Sequence, residues 1–235
     1  MSNPSPYQLF PLGDSAITID FGNTIDEAIN RQVIALFEAI RNNPLPGMIE
    51  AVPAYSSLTI YYDVPSLRKK IPADKLVFEL MSEQLQQRLQ QPVRTTEKES
   101  ALIQIPVCYD PEFATDLIQF AAQKNLSPEE VIRIHTEKEY RVYMLGFLPG
   151  FSYMGLVDER IAASRKSQPT TVAAGSVGIA GKQTGIYPLA SPGGWHIIGR
   201  TPLTLFDAKK EEPTLLKAGD RIQFVPISKN ECKNY

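Results

Sequence analysis

The hydrophobic pattern in the N-terminal third of the chain switches between the period of a β-strand and that of an α-helix. Residues 16–21 alternate as a strand does, and residues 25–40 place apolar side chains on one helical face. Thr24, with Glu27 three residues later, has the spacing of a capping box and predicts the start of this helix. The asparagine pair and proline at residues 42–44 predict its end.

Two more strands and a second helix are predicted before a polar stretch. Residues 48–53 and 57–63 are predicted strands, and residues 73–89 carry apolar side chains at helical spacing. The order β-β-α-β-β-α predicts a small α+β sandwich of ferredoxin-like type. Residues 90–100 are polar and charged, as linkers are. We therefore expect a small α/β N-terminal domain over residues 1–95 and a second domain over residues 96–235.

The second domain is predicted to change from mixed elements to short strands. A strand over residues 101–109 and a helix over about residues 114–124 come first. Residues 127–130, Ser-Pro-Glu-Glu, supply a cap, a proline and a box glutamate, so a short helix is expected to end near His135. From there on, short β-type runs alternate with Gly/Pro turns, which predicts an antiparallel barrel. The predicted strands are residues 140–145, 176–179, 185–189, 195–199, 203–206 and 221–225.

The composition argues against several classes of protein. The net charge is −2, whereas nucleic-acid binders carry a basic face and a high pI. No apolar run approaches the roughly 20 residues that span a bilayer, and the N-terminus lacks the pattern of a secretory signal, so a cytoplasmic protein is expected. Cys108 and Cys232 are too few for a disulfide framework and are expected to be reduced and structural.

Known site motifs are matched incompletely. His135 and His196 are 61 positions apart and belong to no metal-binding motif, so no metal site is expected. Residues 176–183 do not match the phosphate-binding P-loop motif. Ser176 stands where the motif has its first glycine, and Gln183 stands where it has serine or threonine. The sequence AGSVG resembles a nucleophile elbow only without its first glycine. No lysine lies in a biotin-type Met-Lys-Met setting, so no covalently bound cofactor is expected.

The glycines concentrate in one part of the chain. Ten of the 14 lie between residues 146 and 199, beside several polar side chains, and we interpret this cluster as a ligand or partner surface. Alternation along the strand places His196 and Arg200 on one face and Trp195 on the other, unless a bulge intervenes. Surface positions for His196 and Arg200 are equally compatible with the sequence. His135, at the end of a helix, is interpreted as a core or dipole-compensating residue.

Two long motifs carry a resemblance to a known family. YRVYMLGFLPGFSYM (residues 140–154) and AGSVGIAGKQTGIYPLASPGGWHIIGRTP (residues 174–202) resemble the KipI family. Its members are called the B subunit of 5-oxoprolinase (PxpB) or, by an older label, allophanate hydrolase subunit 1. The resemblance extends from residue 12 to residue 221. It implies a cyclophilin-like β-barrel for the second domain and a smaller α/β domain before it.

The resemblance also implies a function that requires other subunits. Members act with a KipA-type subunit (PxpC) and a LamB/YcsF-type subunit (PxpA), and the assembled complex uses ATP to convert 5-oxo-L-proline to L-glutamate. Two alternatives stay open. One is a KipI-like inhibitor that binds a sensor histidine kinase, and the other is a carboxyltransferase-type component such as that of urea carboxylase.

If the chain serves such a complex, its glycine-rich segments are expected to contact substrate and partner. A small lactam carboxylate needs a cation and amide or hydroxyl groups, and Arg200 is suited to a bidentate carboxylate contact. The expected substrate-binding residues are Gln183, Thr184, Tyr187, Ser191, Trp195, His196 and Arg200. The expected partner-interface residues are Phe147, Phe151 and Tyr153, since aromatic side chains are enriched at interface cores.

Overall fold

A computed structural model describes residues 7–90 and 101–234. It divides the chain into two compact units, Met1–Lys98 and Glu99–Tyr235. The boundary predicted between residues 95 and 96 lies outside the described residues and stays a prediction. No helix of the described residues is both long and apolar enough to cross a membrane.

The first unit is a four-stranded antiparallel sheet with helices packed against it. The sheet order is β1-β2-β4-β3. Its core contains Ile17 and Ile19 of the sheet together with Val33, Leu36 and Met81 of the helices. The elements are β1 Gln8–Pro11, β2 Ala16–Asp20, α1 Glu27–Asn42, β3 Met48–Pro53, β4 Ser57–Tyr62, α2 Val64–Arg68 and α3 Val77–Leu89.

The ferredoxin-like prediction agrees with this sheet, with one difference in connectivity. Strands β2 and β3 are joined through α1, and β4 is paired between them, which is a split βαβ unit. In a ferredoxin-like sheet, the edge strand that pairs with the first strand of this unit is the last strand of the domain. Here β1, at the start of the unit, takes that edge position.

Two predicted helix starts are corrected by hydrogen bonds that the pattern did not reveal. Helix α1 is capped by Asp26, whose carboxylate accepts from the Ile29 amide at 2.9 Å, so Thr24 is not its cap. The helix predicted to begin at residue 73 is α3, and it begins at Val77. The Arg68 guanidinium donates to the carbonyl oxygens of residues 72, 73 and 75 and thereby holds this segment as a turn.

The second unit is built around a closed seven-stranded barrel. Its strand order is β10-β7-β6-β13-β5-β12-β9, and β9 pairs with β10 to close it. The strands are β5 Leu102–Cys108, β6 Glu139–Leu145, β7 Ser152–Gly155, β8 Thr170–Val172, β9 Ser176–Ala180, β10 Gln183–Ile186, β11 Ser191–Gly193, β12 His196–Arg200 and β13 Arg221–Ile227. The helices are α4 Leu117–Gln123, α5 Pro128–Thr136 and α6 Lys229–Lys233, with a 3₁₀ turn at Glu159–Ile161.

The barrel confirms the predicted fold class and differs from the expectation in two places. Strands β5 and β13 are parallel, so the barrel is not wholly antiparallel; they are distant in sequence, which lets the chain return in either direction. Residues 203–206 do not form a strand, and only Phe206 makes an isolated bridge, to Thr214. The predicted cap of α5 is confirmed by reciprocal bonds between Ser127 and Glu130.

Candidate functional site

The outer face of the barrel carries an aromatic cluster formed by Phe151, Val172, Ala180, Tyr187, Trp195 and Ile197. Side chains alternate along each strand, so Ile198 points into the barrel core while Ile197 joins this aromatic cluster. Phe151 meets Tyr187 and Trp195 edge to face, at centroid distances of 5.0 and 5.4 Å. Tyr187 and Trp195 therefore lie in the same cluster, and both are buried.

Several glycines of the glycine-rich segments make room for these rings. A Cβ on Gly185 would lie 3.1 Å from the Trp195 ring, and one on Gly178 would lie 3.0 Å from the Trp195 Cβ. A Cβ on Gly193 would lie 2.4 Å from the Tyr187 hydroxyl. Close packing of aromatic side chains thus accounts for glycine at these three positions.

Among the three predicted partner-interface residues, Phe147 is the most exposed. Its side chain is 61% exposed, and its φ of 68° is a conformation that non-glycine residues rarely adopt. The ring lies edge to face against Phe151 and Tyr187. Phe151 is buried and Tyr153 is half-buried. Phe147 therefore extends the aromatic cluster to the surface.

The predicted residue Thr184 lies inside the barrel, in a buried polar network. Its hydroxyl donates to the Gly178 carbonyl at 3.1 Å, so it accepts from His135 Nε2 at 2.9 Å. His135 Nδ1 then accepts from the Tyr109 hydroxyl at 3.1 Å. Both ring nitrogens are satisfied in the neutral tautomer, and burial lowers the pKa of His135 to about 3. The interpretation of His135 as a satisfied core residue is confirmed.

His196 borders a small polar pocket between α4, β12 and the segment before β8. Asp116 Oδ2 accepts from the Ile197 amide at 2.7 Å and from Lys166 Nζ at 2.8 Å. His196 Nε2 donates to the Ser164 carbonyl at 2.9 Å, and its ring packs on Phe120. The pocket has a volume of about 90 Å³ and is lined by Asp116, Gln119, Phe120, Gln123, Lys166 and His196.

Arg200 lies at the other end of β12, outside this polar pocket. Its guanidinium lies 5.3 Å from the ring centroid of Phe113, a cation–π geometry. Its Nε is buried and has no hydrogen-bond partner among the described residues. A bulge between Ile197 and Gly199 interrupts β12, as the sequence allowed. Because of this bulge, the partners of His196 and Arg200 on β9, Ile179 and Ser176, are three residues apart. At about 3.3 Å per strand residue, the Cα atoms of His196 and Arg200 are therefore about 10 Å apart.

The remaining two predicted residues lie on other strands. Gln183 begins β10, where it is paired with Gly155 and Ala180. Ser191 belongs to the two-stranded sheet of β8 and β11, and its hydroxyl is buried without a partner among the described residues.

The structure thus distributes the seven predicted residues over several places, and their role in substrate binding stays a prediction. Sequence analysis missed five of the six residues that line the polar pocket, among them the ion pair of Asp116 and Lys166. Asp116 and Lys166 are 50 positions apart, and only the pairing of Asp116 with β12 brings them together. Cys108 is buried, Cys232 is half-buried, and their two thiols lie within hydrogen-bonding distance of each other without a disulfide between them.

Comparison with known proteins places these features in a family. The family model described as "Carboxyltransferase domain, subdomain C and D" matches residues 7–216. The 5-oxoprolinase B subunit of Bacillus subtilis is 48% identical over 97% of this chain and 96% of its own length, and that of Escherichia coli O157:H7 is 36% identical over 94% and 96%.

A solved structure, that of TTHA0988, has the same fold and a longer chain. It superposes with a TM-score of 0.78 and 36% identity, covering 91% of this chain and 40% of that one. The chain therefore belongs to the carboxyltransferase subdomain C and D family, in the group of the 5-oxoprolinase B subunits.

Proposed function

We propose that this chain is a subunit of an ATP-dependent 5-oxoprolinase, which converts 5-oxo-L-proline to L-glutamate and in which this chain alone is inactive. The observation that carries the proposal is the match to the Bacillus subtilis 5-oxoprolinase B subunit over nearly the full length of both proteins. The proposed partners are a KipA-type subunit (PxpC) and a LamB/YcsF-type subunit (PxpA). The family description, a carboxyltransferase domain, fits the alternative that this chain is a carboxyltransferase-type component. The relatives named as 5-oxoprolinase B subunits favour the oxoprolinase.

The proposed chemistry explains why ATP is required. A five-membered lactam is a poor electrophile, because its nitrogen lone pair is delocalised into the carbonyl group. Phosphoryl transfer from ATP to the lactam oxygen would give an imidate phosphate and ADP. Water would then add to the activated carbon, and opening of the C–N bond would leave γ-glutamyl phosphate. A second water would hydrolyse this acyl phosphate to L-glutamate and inorganic phosphate.

Two observations support a need for partners. The related structure TTHA0988 contains this fold in only 40% of its polypeptide, so a homologous unit occurs there joined to further protein. Phe147 offers an exposed aromatic ring whose position is fixed by Phe151 and Tyr187. Rigid, partly supported aromatic side chains are frequent hot spots of protein interfaces.

Co-expression with the KipA-type subunit is expected to give one joint peak in size exclusion. Phe147→Asp should separate the two proteins or weaken their association at least tenfold, because it places a charge where an aromatic anchor is required. Leu215→Asp, at a position 44% exposed, is the matched control and should leave assembly unchanged. Separate peaks for the wild-type proteins at micromolar concentration would contradict the proposed partnership.

Arg200 is proposed to supply a cation to an anionic ligand of the assembled complex. Its guanidinium has no hydrogen bond or ion pair among the described residues, so its donors other than the buried Nε are available. Arg200→Ala should lower kcat/KM of the complex at least tenfold, or about 1.4 kcal/mol, with little change in melting temperature. Normal kinetics would exclude this role, whereas loss of assembly would assign Arg200 to the interface.

A further inference from the structure

The two cysteines of the chain meet where helix α6 packs on the barrel strand β5. Cys108 is the last residue of β5 and is buried, whereas Cys232 lies on α6 and is half-buried. Their thiols are within hydrogen-bonding distance of each other. Because the two residues are more than a hundred positions apart in the sequence, only the fold brings them together.

An independent contact fixes which side of α6 faces the end of β5. Lys229 and Cys232 are three positions apart on this helix and therefore share one of its faces. Lys229 forms an ion pair with Glu112, which follows the last residue of β5 by four positions. The face of α6 that carries Cys232 is thus turned towards the end of β5, where Cys108 lies.

The two thiols differ in access, which sets the order in which they can react with a reagent from solution. Cys108 is only 1% exposed, and Cys232 is partly open to solvent. Burial raises the pKa of the Cys232 thiol and Cys108 raises it further, whereas the Arg200 guanidinium favours the thiolate. Arg200 is the residue of β12 that pairs with Cys108, so a cation is held near the cysteine pair.

We infer that Cys108 and Cys232 form a thiol–disulfide exchange site, which reacts with small disulfides such as oxidised glutathione and closes into an intramolecular disulfide. The Cys232 thiolate attacks one sulfur of the small disulfide and releases one small thiol. The Cys108 thiolate then attacks the Cys232 sulfur of the mixed disulfide and releases the second. Two protein thiols are oxidised and one small disulfide is reduced, so two electrons and two protons pass to the small thiols.

The closed form requires only a local movement and fastens α6 to the barrel. A disulfide brings its sulfur atoms to about 2.0 Å from each other. Helix α6 has five residues, none of them buried, so little packing opposes its approach to β5. The inference is independent of the proposed function, since it concerns this chain alone.

The test treats the purified full chain with oxidised glutathione at mildly alkaline pH and follows its free thiols and intact mass. We expect both thiols to be lost and the mass to fall by that of two hydrogen atoms. A non-reducing digest should contain a peptide that joins Cys108 to Cys232. Hydrogen exchange of the Cys232 amide, which donates to the Ser228 carbonyl at 3.0 Å, should slow at least tenfold and recover after reduction.

A shifted thiol is the matched control. The Cys232→Ser/Lys233→Cys variant moves the thiol by about 100° around α6, to an exposed position. It should stop at the mixed disulfide with glutathione, or close at least tenfold more slowly than the wild type. Cys232→Ser alone should keep its buried Cys108 thiol unmodified.

The opposite results are equally measurable. Retention of both thiols in the treated wild type, or glutathione that stays attached to Cys232, would overturn the inference. So would equally fast closure of the shifted-thiol variant, because the contact between Cys108 and Cys232 would then have no special role. Unchanged hydrogen exchange of the Cys232 amide after closure would contradict the fastening of α6.

Discussion

Replacing Gly175 by alanine is expected to destabilise the second unit by roughly 3 kcal/mol. Gly175 has a φ of 79°, which costs an L-residue about 1–2 kcal/mol. A Cβ there would also lie 2.3 Å from the Thr201 carbonyl oxygen, and relieving such overpacking costs about 1–3 kcal/mol more. The Gly175 backbone cannot move freely, because it bonds to both Tyr187 and Thr201. Urea unfolding of the purified chain measures the loss.

Gly181→Ala is the matched control for the steric part of this effect. Gly181 also has a positive φ, of 60°, but a Cβ on it would meet no atom of the described residues within 4 Å. It should therefore lose only about 1–2 kcal/mol, the conformational cost. Equal losses in the two variants would show that the close approach of Thr201 does not constrain Gly175.

The stability of the protein is expected to fall in mild acid because of His135. Burial lowers the pKa of His135 from 6.5 to about 3, so the unfolded chain binds a proton that the folded chain does not. The stability that this difference contributes is complete above pH 6.5 and is lost as the pH falls toward 3. The loss approaches about 1.4 kcal/mol per pH unit within that window.

His135→Gln isolates this effect, since glutamine does not titrate. The variant should be less stable than the wild type at neutral pH, because the contacts of the imidazole with Tyr109, Thr184 and Phe224 are lost. The difference between the two proteins should shrink as the pH falls from 6.5 to about 4. Parallel pH profiles over that range would contradict a neutral buried His135.

The fold could be predicted where local patterns decide it. Periodicity located most of the helices and strands, and the box of Ser127 and Glu130 fixed the start of α5. The errors arose where distant side chains intervene. The hydrogen bonds from Arg68 to the carbonyl groups of residues 72, 73 and 75 hold this segment as a turn, so α3 begins only at Val77. The parallel pairing of β5 with β13 joins strands that are more than a hundred residues apart in the sequence.

The candidate site was less accessible to sequence analysis for a related reason. Alternation correctly separated His196 from Trp195, but it cannot show that Thr184 turns inward to His135. The glycine content suggested a ligand or partner surface, whereas Gly178 packs against the Cβ of Trp195 and Gly185 against its ring. Nothing in the sequence pairs Asp116 with Lys166, because their contact exists only once α4 is bonded to β12.

The most direct test of the proposed function is 5-oxoproline-dependent turnover. The purified chain, the KipA-type and LamB/YcsF-type subunits without it, and all three together are assayed with ATP and 5-oxo-L-proline for L-glutamate formation. We expect L-glutamate and ADP in equal amounts only when all three are present. Steady turnover by the chain alone, or turnover by the other two subunits at the same rate without it, would contradict the proposed function.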